Sequence, residues 1–85
     1  MNKKIAVEKL RKAADGYFKK YDGPTSKDES YKEMLLSDVE DLRLVANLIE
    51  EGNLKTARIK AQNLDTAVRD EIPSKVWEYL WGDED

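Results

Sequence analysis

This sequence contains no cysteine and no histidine. Without cysteine the chain forms neither a disulfide nor a thiolate zinc site, and it has no thiolate nucleophile. Without histidine it lacks the side chain that proteins use most often as a general base near neutral pH and as a metal ligand. The sequence therefore indicates a protein that is not an enzyme and has no catalytic, cofactor-binding or metal-binding residues.

Glycines are few, and the four in the chain lie far apart at positions 16, 23, 52 and 82. A loop that cradles phosphates needs glycines close together, so the sequence has no nucleotide-binding motif. No apolar run approaches the ~18 residues of a membrane span. The first residues also lack the apolar stretch of a signal peptide. These absences lead us to expect a soluble, cytoplasmic protein with no membrane partner.

The chain has 85 residues, of which 40% are hydrophobic and 39% are charged. A chain of this size buries only ~60% of the surface that its unfolded form exposes, so its core must be thin. We expect a single helical domain over residues 1–85, in which residues 82–85 form a frayed acidic tail.

The charges are unevenly distributed along the chain. The net charge is −3, but residues 1–20 have seven basic and two acidic side chains, whereas residues 21–52 have three basic and nine acidic ones. One interpretation is that a basic first helix lies beside an acidic second helix and that the two screen each other. The other is that the basic face binds an acidic partner, either a protein or a nucleic acid.

The spacing of apolar residues predicts a helix over residues 3–21, followed by a loop at residues 22–26, where turn-forming residues are dense. At 100° per residue, eight apolar side chains share one face of this helix, and most other positions are charged. The eight are Ala6, Val7, Leu10, Ala13, Ala14, Tyr17, Phe18 and Tyr21.

Two further helices are predicted on either side of Gly52 and Asn53, because glycine ends helices well and asparagine begins them well. The helix before this turn is expected to begin at Ser37, whose spacing to Glu40 is that of a capping box. In an unbroken helix Asp38 would project into the apolar face, and a lone buried carboxylate is costly. This favours a break, giving helices near 27–36 and 38–51, and the alternative is one continuous helix.

The helix after the turn is predicted over residues 54–71. It is expected to end before Pro73, which cannot continue a helix but suits the first turn of a new one. Together the elements predict an all-α fold. It is a small antiparallel bundle of three main helices, with the αα-hairpin 38–71 packed on helix 3–21, and short helices near 27–36 and 74–81. The predicted core is Leu10, Tyr17, Phe18, Leu35, Val39, Leu42, Ala46, Ile49, Ala57, Ala61, Leu64 and Val68.

The hairpin resembles one unit of the tetratricopeptide repeat family over less than half of the chain. The positions that carry the resemblance are Leu44, Gly52, Asn53, Leu54, Ala57, Ala61 and Leu64. Val45 stands where the family has a small residue, and Pro73 comes later than the family's closing proline. Such arrays need about three units to bury their faces, and this chain contains one. We therefore interpret the similarity as that of any helical hairpin and not as membership.

The leading hypothesis for function is a small non-enzymatic helical protein that binds a partner protein and modulates or blocks it. It would act as an adaptor, inhibitor or accessory factor, a type of small charged protein that is frequent in bacteria and phages. Basic side chains accelerate encounter with an acidic partner, and aromatic ones supply binding energy. The candidate contact residues are Lys9, Arg11, Lys12 and Lys19 on the first helix, Tyr79 and Trp81 in the aromatic segment, and the outward-facing Ile59 and Leu44.

Two alternatives remain open from the sequence. The first is a nucleic-acid-associated protein that uses the basic face of the first helix. A pI near 5.0 and the acidic residues Glu8 and Asp15 within that face make nucleic acid the less favoured partner. The second is a homo-oligomeric structural subunit, since the apolar residues that face outward would suit contacts between copies. The chain is accordingly expected to be a monomer or a homodimer.

Overall fold

The structure, a computed structural model, describes residues 2–21 and 29–81. Within these ranges it contains five helices and no strand: α1 (Lys3–Tyr21), α2 (Glu29–Glu50), α3 (Leu54–Gln62), α4 (Thr66–Arg69) and α5 (Ser74–Trp81). The main helices α1 and α3 both pack on α2, and α5 packs on α1 and α3. This confirms the all-α class and the bundle of three main helices. The predicted loop at 22–26, the predicted helix start at 27 and the acidic tail at 82–85 lie outside the described residues.

Helix α1 has the predicted bounds. Its first turn is capped by Asn2, whose Oδ1 accepts a hydrogen bond of 2.9 Å from the backbone N–H of Ile5. The side chains on its core-facing side recur every three or four residues and are buried, as the 3.6-residue period requires. The fully or nearly buried ones are Ala6, Val7, Leu10, Ala14 and Tyr17.

Helix α2 is a single unbroken helix, so the predicted break near Ser37, with separate helices 27–36 and 38–51, is wrong. The break was expected because a continuous helix would bury Asp38 without a partner. Asp38 is instead only partly buried, and the hydroxyl of Tyr17 on α1 donates a hydrogen bond of 3.2 Å to its Oδ2. Ser37 is exposed within the helix and does not cap it. A contact between two helices thus removes the cost that favoured the break.

The turn between α2 and α3 is as predicted. Gly52 has a φ of +86°, the conformation that glycine adopts without strain. Its N–H donates to the carbonyl of Ile49, and the N–H of Asn53 donates to the carbonyl of Leu48, both at 2.9 Å. This pair of bonds is the Schellman motif. Asn53 then begins α3, because its Oδ1 accepts a bond of 3.3 Å from the N–H of Thr56.

The predicted helix 54–71 is wrong in its second half. Helix α3 ends at Gln62, and the short helix α4 begins at Thr66. Asn63 ends α3 because its side-chain Nδ2 donates to the carbonyl of Ile59 at 2.9 Å, and Asp65 is extended, with φ −60° and ψ 152°. Asn and Asp favour such non-helical positions, because their side chains compete for backbone hydrogen bonds.

One apolar cluster forms the core and lies along α2. Every predicted core residue except Phe18 belongs to it, and Phe18 packs against it partly buried. Ala57 and Ala61 are fully buried, so α3 meets its neighbours through small side chains. Sequence analysis left out several residues that are also buried in the cluster, among them Val45, Ile72, Val76 and Leu80.

Candidate protein-binding surface

The part of the chain that the structure describes contains no cluster of side chains suited to a metal ion. In residues 2–21 and 29–81, no group of three or more Asp, Glu, His or Cys side chains could hold a metal ion. No buried side-chain nitrogen or oxygen in the same residues lacks a hydrogen-bond partner. None of the described helices is long and apolar enough to cross a membrane. The candidate contact residues therefore have to be judged as parts of a surface.

Arg11, one of the predicted contact residues, is exposed but already forms hydrogen bonds within the chain. One of its guanidinium nitrogens donates to Oε1 of Glu50 at 2.8 Å and to Oδ1 of Asn47 at 3.0 Å. Both acceptors lie near the end of α2, so the side chain bridges α1 and α2. A partner would have to displace these bonds to use Arg11, which separates it from the other three basic residues of the predicted set.

Two further ion pairs join α1 to other parts of the chain, but neither pairs a base of α1 with an acid of α2, as the pair Arg11–Glu50 does and as mutual screening of the two helices requires. Arg43 on α2 contacts Asp15 on α1 at 3.0 Å, and Lys20 on α1 contacts Glu71 at 3.6 Å. All these pairs lie at the surface, where an ion pair contributes only ~0–1 kcal/mol. They orient neighbouring helices more than they stabilise the fold.

The other basic residues of the predicted set, Lys9, Lys12 and Lys19, remain exposed on one side of α1. Together with Ile5 and Gly16 they recur at spacings of four and three residues, so they share the face opposite the core. We call these five residues the basic stripe. None of its lysines forms an ion pair with any residue that the structure describes.

The aromatic segment of α5 divides into a packed part and an exposed part. Trp77 and Tyr79 pack partly buried against the core, and Leu80 is fully buried. Trp81 is 45% exposed and faces α3, where the guanidinium carbon of Arg58 lies 5.5 Å from the centroid of its ring. Nε of Arg58 also donates a hydrogen bond to the carbonyl of Leu80. The cation is thus held against the ring by two interactions.

Ile59 follows Arg58 on α3 and is 52% exposed. Lys55 lies one helical turn earlier and is exposed as well. The third cation of α3, Lys60, contacts Asp41 on α2 at 3.3 Å, whereas Lys55 and Arg58 have no ion pair among the described residues. We call Trp81, Arg58, Ile59 and Lys55 the Trp81 patch. It combines an aromatic ring, an aliphatic side chain and two cations, and the exposed acid Glu78 lies one helical turn before Trp81 on α5.

Leu44 lies on a third surface. It is 41% exposed on α2, with Glu40 and Glu51 on the same side of the helix. The eight predicted contact residues therefore do not form one surface: the structure places them on the outer side of α1, on α2, and around α3 and α5. Arg58 was not predicted, because nothing in the sequence shows that it meets a tryptophan more than twenty positions away.

The acidity of the Asp38 side chain is altered in the fold. Burial between the helices raises the pKa of its carboxyl above the ordinary value of 3.8, and the nearby Asp65 and Asp41 raise it further. The hydrogen bond from Tyr17 opposes these effects, because it stabilises the carboxylate. Asp38 lies apart from the Trp81 patch, so we connect it with stability and not with binding.

Comparison of the chain with protein-family models, curated proteins and solved structures found no match. The resemblance of the hairpin to a tetratricopeptide repeat unit is thus without support from a family match.

Proposed function

We propose that this chain is a small non-enzymatic helical protein that binds a partner protein and modulates or blocks it. The observation that supports this most is the exposed Trp81 held against Arg58. Tryptophan and arginine are the residues most enriched at the energetic centres of interfaces. A side chain that is already held in its orientation also loses less conformational entropy on binding.

The composition of the Trp81 patch suggests how such a partner is recognised. Trp81 and Ile59 would lose their exposed apolar area on contact, which favours association. Arg58 and Lys55 would match carboxylates placed around the apolar contact. Opposite charge of this kind accelerates encounter and selects among partners, whereas the desolvated aromatic contact slows dissociation.

The proposal of a non-enzymatic role has support from composition. With neither histidine nor cysteine in the chain, occlusion or recruitment of another protein is the simplest mode of action. Nucleic acid is the less favoured partner, because the net charge is −3 and an acidic chain is repelled by phosphates outside its small basic surface.

The experiment compares the proteins captured from a lysate of the source organism by the wild-type chain and by Trp81→Ala. Met34→Ala is the matched control, since Met34 is a large apolar residue on α2 that is even more exposed, at 60%. We expect at least one protein to bind wild type and the control equally. A hot-spot loss of about 2 kcal/mol would weaken its binding to Trp81→Ala by ~30-fold.

Circular dichroism of each variant decides whether the loss is one of binding or of folding. The proposal requires that Trp81→Ala keeps the helical content of wild type. It fails if no captured protein depends on Trp81, or if Trp81→Ala unfolds the chain and thereby shows that the ring serves only the core.

A further inference from the structure

Two exposed stripes of opposite charge lie on the neighbouring helices α1 and α2. The first is the basic stripe of α1. The second, which we call the acidic stripe, recurs at spacings of four and three residues on the outer side of α2 and contains Glu40, Leu44, Asn47 and Glu51. The charged members of the basic stripe are lysines and those of the acidic stripe are glutamates, while the exposed acids Glu8 and Asp15 lie beside the basic stripe, one helical turn before Lys12 and Lys19. Neither Glu40 nor Glu51 forms an ion pair with a described residue.

Gly16, in the basic stripe, has no neighbour among the described residues that explains it. It lies inside α1, where glycine is less stable than alanine. A Cβ atom added at this position would meet nothing within 4 Å, so no neighbour in the described structure requires the absence of a side chain. Glycine on an exposed helical face does allow another helix to approach closely. A contact from outside the chain would therefore account for it.

The stagger of α1 and α2 relates the two stripes to each other. The helices are antiparallel, and the ion pairs Asp15–Arg43 and Arg11–Glu50 mark which residues lie at the same height along the bundle. By the same stagger Lys19 is level with Glu40, and Lys9 is level with Glu51. Between them, Gly16 is level with Leu44. At equal heights the two stripes thus present two pairs of opposite charge, and between these pairs a glycine lies at the height of an exposed leucine.

We propose that a second copy of this chain binds through these stripes, with the basic stripe of one copy against the acidic stripe of the next. If rotation about an axis parallel to the helices relates the second copy to the first, every residue keeps its height along that axis. Residues that lie at the same height within one chain therefore also lie at the same height in the contact between copies. Lys19 and Lys9 then meet Glu40 and Glu51 of the second copy, and Leu44 of the second copy fills the space over Gly16. Antiparallel packing of α1 on α2 of the second copy follows as well.

The contact is heterologous, because the two stripes are different surfaces. Each copy offers both, so association continues until a ring closes or a linear assembly forms. Exposed ion pairs are weak and screened by salt, and the apolar part is limited to Leu44 and the stems of the lysines. Self-association should therefore be moderate in affinity and should decrease as ionic strength rises. It makes no use of Trp81 and is independent of the proposed function.

The experiment is analytical ultracentrifugation of the full chain over a range of protein concentrations, at about 20 mM and about 500 mM salt. Wild type should associate at low salt and dissociate at high salt. The double variants Lys9→Glu/Lys19→Glu and Glu40→Lys/Glu51→Lys should each lose association by at least ~10-fold, because like charges then face each other. Lys75→Glu, which changes an exposed lysine outside both stripes and outside the Trp81 patch, is the matched control and should associate as wild type does.

Recovery of association after the charges are exchanged would show that the double variants had lost the contact and not their fold. A chain that combines all four reversals should associate again, and so should an equimolar mixture of the two double variants if the combined chain fails to fold. Gly16→Gln should keep the helical content but lose association. The proposal is overturned if wild type stays monomeric at low salt. It is equally overturned if folded double variants do not associate with each other when mixed.

Discussion

Leu42 and Leu44 lie two residues apart on α2 and have opposite environments. Leu42 is fully buried, whereas Leu44 is 41% exposed. Replacement by alanine removes the same atoms from the same helix at both positions, so helix propensity cancels from the comparison. Truncating a fully buried leucine costs ~2–5 kcal/mol, because apolar transfer energy is lost and a cavity remains. Truncating Leu44 should cost less than ~1 kcal/mol, as most substitutions at the surface do.

The difference is large on the scale of this protein. Folded domains are stable by ~0.05–0.15 kcal/mol per residue, which gives ~4–13 kcal/mol for a chain of this length. Leu42→Ala should therefore lower the melting temperature by roughly 10–30 °C, since 1 kcal/mol shifts it by ~4–8 °C in small domains. Urea and thermal unfolding followed by circular dichroism measure both variants. Dilute protein and high salt keep self-association out of the comparison. Equal losses of stability at the two positions would contradict the burial of Leu42 and the exposure of Leu44.

Three further substitutions, two of them with a control, test other parts of the structure. Gly52→Val should destabilise clearly, because a β-branched residue is strained at a φ of +86°, whereas Gly16→Ala should be neutral or stabilising in unfolding experiments. Ala61→Phe should cost ~1–3 kcal/mol in urea unfolding by overpacking the contact of α3 with its neighbours, whereas Ala67→Phe on the exposed side of α4 should not. Asp38→Asn should raise the free energy of unfolding at neutral pH, because the folded state disfavours the carboxylate of Asp38.

The sign of the Asp38 effect follows from linkage. Its pKa is higher in the folded state than the ordinary value of 3.8, so the folded chain binds this proton more tightly than the unfolded chain does. The stability that the protonated Asp38 carboxyl contributes is fully present at pH values below 3.8 and is lost as the pH rises through the raised pKa. The gap between Asp38→Asn and wild type should thus be widest at neutral pH and should narrow on acidification. A gap that widens on acidification would contradict the raised pKa.

The features that sequence analysis predicted correctly have local causes. Helix α1 has eight apolar residues in phase over 19 residues. The turn at Gly52 and Asn53 needs only the conformational freedom of glycine and the capping side chain of asparagine. Pro73 marks the start of α5 by its missing N–H. Such signals act within a few residues, and no tertiary contact in the structure opposes them.

The errors came from two different sources. The break near Ser37 was predicted from a local capping signal, and a hydrogen bond between residues 21 positions apart made it unnecessary. The end of α3 had a local signal in Asn63 and Asp65, but the apolar period continues through Leu64 and Val68 and concealed it. The candidate surface was less predictable still. Whether a tryptophan stays exposed, and which cation it meets, depends on how α3 and α5 pack.

The packing of α5 on α1 and α3 links partner binding to folding. The contact of α5 with α1 joins helices separated by more than fifty residues of sequence. It therefore costs more loop-closure entropy than the contacts between helices that follow each other in the chain. We expect α5 to open by itself at a lower free energy than the whole chain, as its amides would show in hydrogen exchange. Opening separates Trp81 from Arg58 and dismantles the Trp81 patch. A protein bound to the Trp81 patch would therefore stabilise the packed position of α5. Hydrogen exchange in α5 should slow as the fraction of chains with bound partner rises.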